Sequence, residues 1–169
     1  MAGGLDSISP EQNRLRSVNV ITPSLMYATP NVFLIIGAGL SASAAFLHVG
    51  IIIGGAPWYR FFGAGERMAS AADKGRFYPT VVTAIIGTVL ATWSAYALSG
   101  AGVIQTLPML KPVLIVITCI YLLRGFAIVP ILIFARSKST PFLTWSSVIC
   151  IGYGAVHFLG LAHVWSRLA

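Results

Sequence analysis

Polar and apolar positions do not alternate finely along this chain; they fall in long blocks. After a mixed stretch reaching Pro30, apolar runs occupy residues 31–53, 79–98, 113–134 and 142–164. Each is about 20 residues long or more, enough for a helix to cross a hydrocarbon core about 30 Å thick at ~1.5 Å per residue. The pattern predicts an all-α polytopic membrane protein, with four transmembrane helices in an antiparallel bundle forming a domain at 31–169. Residues 1–30 read as a polar N-terminal tail, in which Ser9, Pro10 and Glu11 give the cap, first-position proline and first-turn acid of a short surface helix.

The connection at 54–78 is the one long link. It opens with Trp58, Tyr59, Phe61 and Phe62, the aromatic belt expected where a chain leaves the bilayer. Residues 64–74 then have helical potential, closed by Gly75. Glu66, Ser70 and Asp73 share one face while Ala64, Met68 and Ala71 share another, as in a helix lying in the interface. Pro79 and Pro112 mark the openings of the second and third spans, and Pro130 is expected to kink the last turns of the third. The short link 136–141 leads into the fourth.

Composition strengthens this picture. Hydrophobic residues make up 57% and charged residues 9% of the chain, with a mean hydropathy of +0.85, whereas soluble domains carry about one quarter charged residues. The net charge of +7 offers no soluble face to a duplex, so nucleic acid is excluded as a partner and lipid headgroups are the expected counter-ions. The first run lacks a small-residue cleavage site and is expected to remain as a helix. Counting basic residues near the span ends gives Arg60, Arg67, Lys74, Arg76, Arg136 and Lys138 against Arg14, Arg16, Lys111 and Arg167, which favours termini outside the cytoplasm. Cys119 and Cys150 lack metal or redox spacing and read as packing residues.

Helices in lipid associate through small residues and interhelical hydrogen bonds. Stripes of that kind are Gly37, Ser41, Ala44 and His48; Thr80, Ala84, Gly87, Ala91 and Ser94; and Ser146, Cys150, Tyr153, His157 and Gly160. On the third span Tyr121, Arg124, Gly125 and Ile128 share a flank. These faces are expected to turn inward, carrying His48, His157 and Arg124 toward protein. The Gly37 and Gly87 stripes also suit a second copy of the chain or another membrane protein.

His48 and His157 invite comparison with an axial haem pair, but depth separates them: in an antiparallel arrangement they lie about 8 Å and about 22 Å from the same bilayer face. His163 is about 240° around the helix from His157 and cannot share an ion with it. No metal and no cofactor is expected. Arg124 is the one formal charge well inside a span, at a cost of at least ~3 kcal/mol on insertion scales. Three roles are open to it: reaching along the helix toward water, binding a structural partner such as a carbonyl freed by Pro130, or holding an anion. No acidic residue lies in any span, so the anion would come from outside, and the planar guanidinium suits carboxylate or phosphate. With Tyr121, His48, Tyr153 and His157 as further polar points, Arg124 outlines a binding site for an amphipathic molecule such as a phospholipid or quinone.

No GxSxG, HExxH or paired intramembrane carboxylate is present, and "GAGERM" follows no strand and is not a nucleotide-binding loop. The stretch "ERMASAADKGRFYP" resembles the membrane-associated eicosanoid and glutathione enzymes, a family of four-span proteins. Where those carry an asparagine-and-glutamate pattern before the proline, this chain has Ala69, Ser70, Ala71 and Ala72, so neither activity nor site residues are carried over. The run "WYRFFGAGERMA" resembles small bacterial inner-membrane proteins, implying that location. The functional expectation is a small integral membrane protein that binds lipid, another amphipathic ligand or a membrane partner, as a non-enzymatic accessory or regulatory subunit. One alternative is an enzyme acting on a lipid-soluble substrate, with His48 and Glu66 moving protons and Arg124 clamping an anion; another is an oligomeric small transporter.

Overall fold

The structure, a computed structural model, describes Glu11 and residues 29–134 and 140–167. The surface-helix start at Ser9 and Pro10, and most of the 136–141 link, lie outside the described residues. Within the compact unit Asn31–Ala169, the elements are α1 (Val32–Phe61), α2 (Glu66–Asp73), α3 (Phe77–Gly100), α4 (Leu110–Phe126), α5 (Ile128–Phe134) and α6 (Pro141–Val164), followed by a 3₁₀ turn at Trp165–Arg167. No strand occurs among the described residues. Four segments are long and apolar enough to cross a membrane: Val32–Phe61, Phe77–Gly100, Leu110–Phe134 and Pro141–Val164. These four helices are compatible with a small integral membrane protein.

Local chemistry explains the boundaries. Asn31 caps α1 by accepting a hydrogen bond from Leu34 N at 3.1 Å, and Thr140 caps α6 in the same way through Leu143 N, with Pro141 in the first turn. α1 keeps helical φ/ψ as far as Gly54. Gly55 then takes φ 62°, ψ −149°, a conformation open essentially to glycine alone, and the helix restarts with Pro57 in its new first turn. The link expected at 54–78 is therefore partly helical: residues 56–61 fold back so that the Trp58 ring covers Gly50 and Gly54. Pro130 breaks the third span as expected, and the interruption falls at Ala127. A proline removes the bond to the carbonyl four residues earlier and crowds it, here that of Phe126.

Packing follows the small residues. α1 lies mainly against α3, α4 against α6, and α1 also against α6. At Gly160 a Cβ would come within 3.1 Å of the Leu34 backbone nitrogen, and at Gly125 within 2.8 Å of the Ile151 nitrogen, so these glycines let helix backbones nearly touch. The core between them holds Leu34, Leu90, Leu114, Ile117, Tyr121 and Leu161. The stripe expected on the second span is split. Gly87 and Ser94 are buried, but Thr80, Ala84 and Ala91 are exposed, and the inward positions are taken instead by Thr83, Leu90 and Ala97. With Leu90 buried, the packed face is the one that carries Thr83, Leu90 and Ala97, and Ala84 and Ala91 line an open groove beside α1.

Several polar groups inside this apolar unit are paired across helices. Asn31 donates from Nδ2 to Gly160 O at 2.8 Å and from its backbone to Ala101 O at 3.1 Å, joining the start of α1 to α6 and to the end of α3. Ser94 donates to Ala38 O at 2.9 Å, and Thr83 donates to the buried Tyr59 hydroxyl at 3.1 Å. With no water to satisfy them, such groups hold a unique register.

Candidate functional site

Tyr121 stands at the meeting point of three helices. Its hydroxyl shares a 2.9 Å hydrogen bond with Ser41 of α1, and its ring meets Trp93 of α3 edge-on at 5.0 Å, Tyr153 of α6 at 5.3 Å and the His157 ring at 5.2 Å. His157 is completely buried. Its Nδ1 lies 2.8 Å from the Tyr153 carbonyl oxygen, so Nδ1 carries the proton and donates. Nε2 has no hydrogen-bond partner among the described residues. The imidazole fits because position 37 is glycine: a Cβ there would lie 2.8 Å from Cε1.

Above this cluster a cavity of about 460 Å³ opens between α1 and α6. Ser43, Leu47 and His48 form one wall, Trp145, Ser146, Cys150 and Tyr153 the other, Tyr121 and Leu90 the floor, and Phe62 and Phe142 one end. The exposed Trp145 and Ser43 mark its open side. The volume falls in the range that holds a small organic ligand, and the lining is mostly apolar with a few polar points, as such sites are. His48 donates from Nδ1 to Ala44 O at 2.7 Å, which in the neutral ring leaves Nε2 as an acceptor. His48 also lines a second cavity of about 410 Å³, the groove between α1 and α3 bounded by Ala45, Val49, Ala84, Gly87 and Ala91.

Arg124 is placed differently from the inward position expected of it. The residue is exposed, at the end of α4, and its guanidinium reaches across to α6, with Nη1 3.4 Å from Ser147 Oγ and Nη2 3.2 Å from Ser146 Oγ. Packing decides this: Tyr121, Gly125 and Ile128 occupy the buried face, and Gly125 lets α6 approach so closely that a long side chain next to it must pass along the outside. Neither hydroxyl neutralises the charge, and among the described residues no carboxylate pairs with Arg124. Ser146 belongs to the cavity wall, so the cation stands one hydroxyl away from that space. A carbonyl freed by Pro130 is not among its partners.

Glu66 is engaged elsewhere. Arg60 Nη2 lies 2.8 Å from Glu66 Oε1 and 2.7 Å from Asp73 Oδ2, bridging both acids of α2. The hydrogen bonds from Arg60 hold the Glu66 carboxyl below the usual glutamate range. Glu66 lines neither cavity that His48 lines, so the pair considered for proton transfer is not assembled at one site.

No family model matches the chain, and no curated protein or solved structure matches it either.

Of the five expected binding residues, His48, Tyr121 and Tyr153 line one cavity, Arg124 sits at its edge through Ser146, and His157 lies beneath it against Tyr121. Among the described residues no group of three or more His, Cys, Asp or Glu side chains gathers as metal donors. Sequence reasoning missed Ser43, Trp145 and Phe142 as cavity walls and Asn31 as a three-helix tie. Asn31 did carry a signal, as a capping residue immediately before an apolar run.

Proposed function

We propose that this protein is a non-enzymatic membrane protein, an accessory or regulatory subunit, that holds one amphipathic molecule with an anionic or carbonyl head in the cavity between α1 and α6. The observation that carries this reading is the juxtaposition of an uncompensated cation with a mostly apolar cavity of ligand size: Arg124 bonds to Ser146, and Ser146 walls the space that His48, Tyr121 and Tyr153 enter. The guanidinium would take a carboxylate or phosphate at the rim, and Trp145, Leu47 and Ile149 would contact an apolar tail. The exposed side of the cavity suits entry from the lipid phase. An antiparallel arrangement of the four spans, with α2 lying along the interface, belongs to the same reading; the abundance of exposed large apolar side chains on the spans supports it. The bacterial inner membrane is the proposed location.

The test is binding by the detergent-solubilised full chain, followed by native mass spectrometry with oleate and with decylubiquinone. Arg124→Leu is expected to weaken oleate binding by about 10- to 100-fold, the size of a charge-assisted hydrogen bond. Tyr153→Ala is expected to weaken both ligands. Equal binding of both ligands by the wild type and by a folded Arg124→Leu protein would overturn the proposal.

A further inference from the structure

A second site lies on the face of α2 next to the Arg60 cluster. We infer that Arg67, Lys74 and Arg76, with Ser70 and Tyr78, form a binding site for a phosphate-bearing headgroup of an anionic lipid. These residues surround a cavity of about 400 Å³ between α2 and the start of α3.

Charge segregation on one short helix makes the site. Glu66 and Asp73, seven residues apart, are both gathered onto Arg60. Arg67, Ser70 and Lys74 fall at the i, i+3 and i+7 positions of the neighbouring face, and Arg76 arrives from the turn that follows. With both acids of α2 held by one guanidinium, no acidic side chain among the described residues pairs with the three cations. Like charges so placed repel unless an anion lies between them, and the cavity provides the room. Phosphate is favoured over a single carboxylate because its several oxygens can meet two guanidiniums, an ammonium and a hydroxyl together.

The surroundings point to a lipid rather than a free ion. Tyr78 belongs both to the cavity and to the first turn of α3, a helix apolar enough to cross a membrane, and Phe77 beside it is 82% exposed. A headgroup held by the three cations would therefore direct its acyl chains along the apolar surface of α3, with the aromatic rings at the boundary. This inference rests on α3 crossing a membrane but not on a ligand in the α1–α6 cavity.

The experiment uses the full chain, delipidated in detergent and titrated with dioleoylphosphatidylglycerol, with dioleoylphosphatidylcholine and with inorganic phosphate, bound species being counted by native mass spectrometry. Wild type is expected to bind phosphatidylglycerol at least about tenfold more tightly than phosphatidylcholine. The Arg67→Gln/Lys74→Gln/Arg76→Gln protein is expected to lose that preference, since each basic group near an anionic surface is worth about fivefold. Arg76→Gln alone should lose part of it, and Arg67→Lys/Arg76→Lys should keep most of it. Lys111→Gln, which removes a basic residue that lines neither this cavity nor the α1–α6 cavity, is expected to leave the preference unchanged. No preference in the wild type, or full preference in the folded triple variant, would overturn the inference. Inorganic phosphate binding as tightly as the lipid would assign the site to a free anion and overturn the lipid assignment.

Discussion

Replacing Gly37 by alanine places a methyl group against the most buried polar ring in the structure. The new Cβ would lie 2.8 Å from His157 Cε1 and 3.1 Å from each ring nitrogen, whereas non-bonded carbon atoms are comfortable at about 3.5–4.0 Å. The imidazole is held in place, because Nδ1 is tethered to Tyr153 O at 2.8 Å and the Tyr121 ring packs 5.2 Å from it. Overpacking of this kind costs about 1–3 kcal/mol. Gly39, two residues along the same helix, provides the control, since a Cβ there meets nothing within 4 Å. Both substitutions gain the same helix preference of alanine over glycine, about 0.5–1 kcal/mol, so the difference between them isolates the clash. Reversible unfolding in mixed micelles, with denaturing detergent as the variable and helix content as the signal, should place Gly37→Ala about 1–3 kcal/mol below Gly39→Ala. In a His157→Ala background the two glycine substitutions should differ little, because the ring that clashes is gone. Equal stability of the two glycine variants, within about 0.5 kcal/mol, would refute the packing of His157 against α1.

Asn31 makes two kinds of contact that substitution separates. Asn31→Ser keeps a side-chain oxygen to cap α1 but is too short to donate to Gly160 O, and Asn31→Ala loses both, so micellar unfolding should rank wild type above serine and serine above alanine, the loss of the cap alone being about 0.5–2 kcal/mol. The Arg60–Glu66 pair should make the anchoring of α2 depend on pH. Because the folded-state pKa of Glu66 lies below its unfolded value, the pair's contribution is fully present above the ordinary glutamate pKa and is lost as pH falls through the lowered one. Hydrogen exchange of the α2 amides should accordingly accelerate relative to α3 on acidification, and Glu66→Gln should remove that dependence by making the fast behaviour constant.

The four spans were legible because each apolar run is long and bounded by residues that stop or start helices, among them Asn31, Gly55, Pro79, Pro112 and Pro141. The inward placement of Gly37, Ser41 and His157 was legible too, since small and polar residues at helical spacing have few other uses in lipid. What one-dimensional periodicity could not show is how a packed face rotates when a larger residue competes for it. Thr83, Leu90 and Ala97 displaced the Thr80, Ala84 and Ala91 flank on α3, and Gly125 drew α6 so close that Arg124 was left along the outside of the contact. The cavity depends on the same rotations, and on the turn after α1 that brings Phe62 over to Phe142 at the start of α6. Its Trp145 and Ser43 walls are therefore products of tertiary contact, carrying no motif of their own.

Photo-crosslinking with a fatty acid that bears a diazirine in its chain tests the proposed cavity most directly, with the full chain reconstituted in lipid bilayers and the labelled peptides mapped by mass spectrometry. Labelling should concentrate on residues 43–48 and 145–153, should be competed by unlabelled oleate, and should fall sharply in Arg124→Leu. Labelling spread along the exposed outer faces around Ile35 and Phe158, and unchanged by the loss of Arg124, would contradict a ligand held between α1 and α6.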